Sequence, residues 1–220
     1  MNFNRKFTTY DDNAFVQRKA ACHLLDFAEK NGFNSEKFND ILELGCGTGV
    51  LTSEIVKRYS PQKIILNDIF DTREYIKEPY DNFVLGDIMR IKLPQAETVI
   101  SSSVFQWIHP FEKLAEKLAV YDNLAFSIYT KGNLKEIDEH FGISLKYHSP
   151  QEIDDTLKKY FSNVTFISEE IVLDFSSPIA ALKHLQATGV TGFGESSTAK
   201  IRSFSQKQLT YVVSYFLCER

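Results

Sequence analysis

The chain has 220 residues, 43% of them hydrophobic and 25% charged, and these values are ordinary for a globular domain. Lys and Arg number 25 against 29 Asp and Glu, so no overall basic excess favours binding to nucleic acid. No apolar run approaches the roughly 18 residues that a membrane span needs, and the first dozen residues lack the apolar stretch of a secretory signal. The three cysteines stand far apart without a metal-binding spacing, so we expect reduced thiols, no metal and a cytoplasmic protein.

The first half of the chain alternates between helices and short buried strands. Apolar residues at helical spacing predict a helix over 11–30, with Asp11 or Asp12 as its cap and Gly32 at its end. Short apolar strands separated by helices are typical of a parallel sheet that is buried on both faces. The remaining elements predicted here are helices over 50–59 and 110–120, and strands over 41–44, 63–68, 82–85, 97–100 and 124–128.

The second half contains longer strands. The segment SPQE at 149–152 predicts a capped helix to about residue 160, and 177–187 predicts another helix. Residues 164–173 and 209–217 are typical of strands, with a glycine-rich loop over 188–197 between them. No linker divides the chain, so we predict one doubly wound α/β domain. Within it we expect a helical cap over 1–38, a ligand-binding half over 39–130 and a second half over 131–220.

A glycine-rich segment, ILELGCGTG over 41–49, lies between the first strand and the following helix. Gly45 and Gly47 permit a tight turn and a close approach of a ligand to the backbone, and Gly49 lets the helix pack on the strand. A dinucleotide fingerprint needs glycine at the next position, where Val50 stands instead. The pattern ExGxGxG resembles the first motif of class I S-adenosylmethionine-dependent methyltransferases; a purely structural glycine turn is the alternative.

Two aspartates follow the next two strands. Asp68 lies roughly 20 positions beyond Gly49, the spacing at which a carboxylate accepts hydrogen bonds from both ribose hydroxyls. Asp87 ends the third strand; in the methyltransferases that the loop resembles, this position accepts from the adenine amino group and the following apolar residue, here Ile88, packs on the ring. Either aspartate alone is also explained as a strand-end cap. Together with the glycine loop they occupy the sheet edge where α/β proteins bind ligands.

This resemblance implies the Rossmann-like class I fold, a mostly parallel seven-stranded sheet with an antiparallel last strand. It also implies S-adenosylmethionine as cofactor and S-adenosylhomocysteine as product. Glu43 has two interpretations, a direct ligand contact or a buried carboxylate that holds the loop amides. The cofactor-binding residues that we predict are Gln17, Glu43, Gly45, Cys46, Gly47, Gly49, Asp68, Ile69, Asp87, Ile88 and Ser102.

Segments along nearly the whole chain resemble the malonyl-acyl-carrier-protein O-methyltransferases of biotin synthesis. These segments are FTTY at 7–10, AFVQR at 14–18, SSSVFQW at 101–107, GNLKE at 132–136, the helix and loop over 178–189, and LTY at 209–211. The chain departs from the family at two points. Asn is usual where Ser102 or Ser103 stands, and the stretch between Gly194 and Leu209 is shorter than we expect.

The family resemblance implies methyl transfer to the free carboxylate of a malonyl thioester, carried by acyl carrier protein or by coenzyme A. A carboxylate is ionised at neutral pH and needs no general base. We predict that Tyr10 and Arg18 hold this carboxylate, because the entry helix of the family covers the cofactor, and that Trp107 walls the pocket. A solvated surface arginine and a core tryptophan are the alternatives.

Because the carrier protein is acidic, we expect a local basic face drawn from seven residues. They are Lys113, Lys117, Lys131, Lys135, Lys183, Lys200 and Arg202. Dispersed solubilising charge is the alternative for each of them. We also expect a monomer.

Two other functions fit the same features. The first is methyl transfer to another small molecule, a quinone or a different carboxylate. The second is a noncatalytic binding module that keeps the fold without the cofactor.

Overall fold

The computed structural model describes residues 15–188 and 196–220, and in this part of the chain seven strands form one sheet. The strands are β1 (Asp40–Leu44), β2 (Lys63–Asp68), β3 (Asn82–Leu85), β4 (Thr98–Ser102), β5 (Asn123–Tyr129), β6 (Asn163–Asp174) and β7 (Gln208–Glu219). Their order is β3-β2-β1-β4-β5-β7-β6. The first five strands pair in parallel, and β7 runs antiparallel to both β5 and β6.

Helices cover both faces of this sheet. They are α1 (Phe15–Lys30), α2 (Val50–Tyr59), α3 (Phe111–Leu118), α4 (Lys135–Phe141), α5 (Pro150–Leu157), α6 (Pro178–Thr188) and α7 (Thr198–Ser203), with short 3-10 turns at Arg73–Tyr75 and Phe105–Trp107. Successive strand residues point to opposite faces, so Ile41 packs with α1 and α2, and Leu42 packs with α3 and α5. The continuous apolar runs of the central strands are therefore buried on both sides.

The predicted fold class, with its antiparallel last strand, is confirmed. The predicted β3 has the observed bounds, and the capping box at Ser149 is present, with Glu152 accepting from the Ser149 backbone. The predicted bounds of α2 and β2 also match the observed ones, and other boundaries were wrong by a few residues. The helix after the capping box ends at Leu157, short of the predicted 160, and β4 spans Thr98–Ser102 where the prediction is 97–100.

The opening helix lies on the sheet. In α1, Ala20, Leu24 and Ala28 are fully buried, and the helix packs against α2, β4, β5 and β7. The predicted end at Gly32 is confirmed, since its φ of 84° is left-handed and the Phe33 N–H donates to the Ala28 carbonyl (2.9 Å). The predicted caps Asp11 and Asp12 lie outside the described residues.

Two short helices were missed in the sequence. Residues 135–141 form α4, whose preceding residue, Leu134, has a φ of 53°, so no ordinary capping residue marks its start. Residues 198–203 form α7, which Ser197 caps by accepting a hydrogen bond from the Lys200 N–H. In the part of the chain described, none of the helices combines the length and apolar character that crossing a bilayer requires.

Candidate functional site

A cavity of about 430 Å³ opens at the carboxyl ends of β1 to β4. This is the edge where parallel strands present their loops to a ligand. Residues from α1, from the glycine loop and from the ends of all four strands line it. Besides the predicted residues named below, they are Ala21, Thr48, Val50, Leu51, Asn67, Phe70, Gly86, Ser103, Val104 and Ile108.

The glycine loop is held against the end of β2. The N–H groups of Gly45 and Cys46 both donate to the Asn67 carbonyl, at 2.8 and 3.0 Å. Gly45 has a φ of 71°, and a side chain there would meet Val104, so glycine is required for both the turn and the close approach. Gly47 faces open space, with nothing within 4 Å of where its Cβ would be. The loop thus presents backbone to the cavity.

Asp68 joins this loop to the next strand. Its Oδ2 accepts from the Gly47 N–H (2.8 Å) and its Oδ1 from the Phe70 N–H (2.9 Å). Burial raises the pKa of Asp68, and these amide donors oppose the shift. A carboxylate offers about four lone-pair sites, so acceptor capacity remains for a ligand that enters the cavity.

Asp87 and two isoleucines complete the other end of the cavity. Oδ1 of Asp87 accepts from the Met89 N–H (2.8 Å), and Oδ2 lies 3.4 Å from Nε of Arg90. Ile88 is buried, whereas the Ile69 side chain is 57% exposed, and both line the cavity. Acidic acceptors beside apolar surfaces are the groups that an adenosine moiety needs, so the residues present fit that ligand.

Glu43 lies at the inner wall of the cavity. Its Oε2 accepts from the Thr52 hydroxyl in the first turn of α2 (2.7 Å). Burial raises the pKa of Glu43 to about 8, because the charged form is disfavoured away from water; the Thr52 bond opposes this shift. Its hydrogen-bond partner is thus a helix hydroxyl, and the carboxyl also reaches the cavity, so ligand contact stays a prediction.

The raised pKa of Glu43 predicts a pH-dependent stability. The folded protein binds this proton more tightly than the unfolded chain, whose carboxyl titrates near 4.5, so stability is lost as the pH rises from about 4.5 to about 8. Relative to Glu43→Gln, which keeps an acceptor for Thr52, the wild-type free energy of unfolding should fall by at most about 1.4 kcal/mol per pH unit. Denaturant unfolding of both proteins across this window measures the difference. Parallel pH profiles would contradict the expectation.

Asn67 and Ser103 are two of the polar cavity residues that were missed in the sequence. Asn67 is fully buried, and its amide donates to the carbonyls of Val84 (2.7 Å) and Gly86 (3.0 Å), which ties β2 to β3. This bridge sets the separation of Asp68 and Asp87. The second is Ser103, which follows Ser102; the Ser102 hydroxyl is itself bonded to that of Ser127 (2.8 Å). The polar pair Asn67-Asp68 at a strand end was the signal available for Asn67.

The predicted acceptor-side residues Tyr10, Arg18 and Trp107, and the predicted cofactor residues Gln17 and Gly49, lie in different places. Gln17 is buried in the cavity wall, and its Oε1 meets no hydrogen-bond partner among the described residues. Trp107 lines the same cavity. Arg18 lines a smaller adjacent groove, together with Gly49, and neither is among the residues that line the main cavity. Tyr10 lies outside the described residues.

Relatives with similar sequences carry a common name. A malonyl-[acyl-carrier protein] O-methyltransferase of Calditerrivibrio nitroreducens is 35% identical over 196 residues, which cover 86% of this chain and 78% of that protein. One of the same name from Bacteroides thetaiotaomicron is 30% identical over 229 residues, covering 99% of this chain and 86% of that protein. No family model matches the chain.

Solved structures share the fold at much lower identity. The YcgJ protein of Bacillus subtilis superposes with a TM-score of 0.63 at 9% identity, covering 90% of this chain and 98% of that one. The N-methyltransferase NodS of Bradyrhizobium japonicum, in complex with S-adenosylhomocysteine, has a TM-score of 0.56 at 10% identity, covering 99% of this chain and 96% of that one. These likenesses concern the fold.

Proposed function

Because the chain belongs to the malonyl-[acyl-carrier protein] O-methyltransferase family, we propose that it methylates the free carboxylate of a malonyl thioester on acyl carrier protein. The cofactor is S-adenosylmethionine, and the methyl ester enters biotin synthesis. The observation that carries this proposal is the convergence of Gly47, Asp68 and Asp87 on one cavity.

The site supports a specific placement of the cofactor. Asp68 would accept from the ribose hydroxyls, Asp87 would accept from the adenine amino group, and Ile69 and Ile88 would contact the ring. Gln17 would hydrogen-bond the methionine portion through its buried Oε1. When bound, the cofactor supplies an electrophilic methyl group on a sulfonium that leaves as a thioether.

The residues of the chain then orient and shield the reactants. The acceptor carboxylate is already ionised, so no side chain has to remove a proton. Holding the attacking oxygen, the methyl carbon and the sulfur in line contributes several kcal/mol of the rate enhancement. Trp107 and Ile108 line the cavity and would exclude water, which matters because a hydrated carboxylate is a weak nucleophile.

The described cavity lining offers the acceptor carboxylate no cationic partner. The described residues that line the cavity include the carboxylates of Asp68 and Asp87 and the carboxyl of Glu43, which its raised pKa keeps mostly neutral, but no Lys, Arg or His. This charge suits a cationic cofactor better than a second anion. Arg18, in the adjacent groove, and Tyr10 are therefore proposed to guide the malonyl carboxylate, with the guanidinium orienting one oxygen.

Replacing Arg18 should weaken methyl transfer without weakening cofactor binding. A hydrogen bond to a charged group contributes about 1.5–3 kcal/mol, so Arg18→Ala should lower kcat/KM for malonyl-acyl carrier protein by roughly 10- to 150-fold. Calorimetry with S-adenosylhomocysteine should give wild-type affinity. Lys30→Ala, at the far end of α1, is the control. An Arg18→Ala enzyme with normal kinetics would remove this residue from the mechanism.

A comparison of acceptors tests the function itself. Malonyl-acyl carrier protein, malonyl-coenzyme A and unlinked small acids are assayed with the same enzyme and cofactor. We expect the carrier-bound substrate to react fastest. Equal turnover of the free acids, or of quinones, would favour another small-molecule methyltransferase. A folded protein that shows no calorimetric binding of S-adenosylmethionine would instead be a noncatalytic module.

The proposal extends to the organisation and location of the protein. In this proposal residues 39–130 would supply the cofactor half, 131–220 the acceptor side, and 1–38 the N-terminal cap. The three cysteines are free thiols, which supports a cytoplasmic enzyme. A monomer suffices for the site as placed.

A further inference from the structure

Ser103 has an unusual backbone conformation at the mouth of β4. Its φ of 60° is left-handed, and among the described residues only two other non-glycine residues, Ser60 and Leu134, have positive φ. Those two lie at the end of α2 and at the start of α4, where such conformations terminate or begin helices. Ser103 caps no α-helix and lines the cavity. Strained residues of this kind concentrate at ligand sites.

The polar backbone groups of Ser103 are bonded, but its hydroxyl is not. Its N–H donates to the Ser127 carbonyl on β5 (3.0 Å), and its carbonyl accepts from the Gln106 amide (2.5 Å). Its Oγ is shielded from solvent and meets no hydrogen-bond partner in the described parts of the chain. Because no bond fixes the side chain, rotation about Cα–Cβ between staggered positions can bring the hydroxyl to the cavity.

The sheet order places Ser103 on the acceptor side of the cavity. The cofactor acids Asp68 and Asp87 follow β2 and β3, which lie on one side of β1, whereas Ser103 follows β4 on the other side. Since no cation lines the described cavity and Arg18 lies in the adjacent groove, hydrogen bonds to the anion from within the cavity come from neutral donors. The Ser102 hydroxyl is already bonded to Ser127, which leaves Ser103 as the unbonded hydroxyl at this strand end.

We propose that the Ser103 hydroxyl donates a hydrogen bond to the free carboxylate of the methyl acceptor and leaves the other oxygen to attack. This inference rests on the proposed function. In the reaction a C–O bond forms, the C–S bond breaks, its electron pair goes to sulfur and no proton moves. The carboxylate loses charge as it reacts, so a second cation beside Arg18 would stabilise the ground state more than the transition state. A neutral hydroxyl positions the anion at a smaller cost in nucleophilicity.

Three substitutions at Ser103 separate the hydroxyl from the backbone strain. Ser103→Ala and Ser103→Gly both remove the hydroxyl, and glycine also relieves the left-handed strain. Both should raise the KM for malonyl-acyl carrier protein about tenfold, with kcat within about threefold. Ser103→Asn tolerates the same φ and supplies an amide donor, so it should restore most of the lost affinity. Calorimetric affinity for S-adenosylhomocysteine should stay within about twofold of wild type in all three.

Ser60→Ala is the matched control, because Ser60 is an exposed serine with positive φ away from the cavity. An unchanged KM in Ser103→Ala overturns the inference, as does recovery in Ser103→Gly alone, which would assign the effect to strain. A parallel loss of S-adenosylhomocysteine affinity would assign Ser103 to the cofactor instead. If the wild type does not methylate malonyl-acyl carrier protein, the proposed function fails and this inference fails with it.

Discussion

We expect Gly45→Ala to lower the affinity for S-adenosylhomocysteine by roughly 5- to 150-fold, since forcing an extra methyl group into a packed site costs about 1–3 kcal/mol. A Cβ at this position would lie 2.4 Å from Cγ2 of Val104 and 2.9 Å from its Cγ1. Valine is short and stiff at χ1, so it cannot rotate away. The loop must therefore move, and with it the amides that Gly45 and Cys46 donate to Asn67.

Two further variants separate the clash from the backbone strain in Gly45→Ala. Gly32→Ala places alanine at a similar φ of 84° with nothing within 4 Å, so it measures the strain alone and should leave binding intact. Val104→Ala in the Gly45→Ala background removes the colliding methyl groups and should recover part of the affinity, judged against Val104→Ala alone. Calorimetry measures all four. Normal binding by Gly45→Ala would mean that the loop does not set the cofactor position.

The central sheet was predictable because each strand is marked by its own residues and their immediate neighbours in the sequence. The strands β1, β2, β4 and β5 are short apolar runs buried on both faces, β3 is a partly exposed edge strand, and each of the five is bounded by a glycine or a polar pair. The helix α4 was not predictable in this way. It is short, and its start depends on a left-handed Leu134, a conformation that packing imposes and that no residue type signals.

The site residues that could be predicted are the carboxylates at the carboxyl ends of predicted strands. Asp68 and Asp87 each end a strand, so topology alone brings them to one cavity. Neighbours on a helix are a different case, because successive residues point about 100° apart. Gln17 therefore faces the cavity while Arg18 faces the adjacent groove. Ser103 was not distinguishable from Ser101 and Ser102, because only tertiary contacts reveal which hydroxyl is unbonded.

Removing the Asp68 carboxylate should weaken cofactor binding by about 1–3 kcal/mol, or roughly 5- to 150-fold. Asp68→Ala would leave the ribose hydroxyls without acceptors and would free the Gly47 and Phe70 amides that its two oxygens now hold. Asp68→Asn should be nearly as damaging. An amide has only one oxygen, so its NH₂ group would face one of those two N–H donors.

A nearby aspartate provides the control for this prediction. Asp71 is exposed and forms an ion pair with Arg73 in the same loop, so Asp71→Asn removes a carboxylate without touching the cavity. It should bind S-adenosylhomocysteine within about twofold of wild type, because exposed ion pairs contribute little. Calorimetry on the three variants, with thermal unfolding to verify that each is folded, makes the comparison. Wild-type affinity in a folded Asp68→Ala would show that the ribose does not lie at the end of β2, because a ribose there would have lost its hydrogen-bond acceptor.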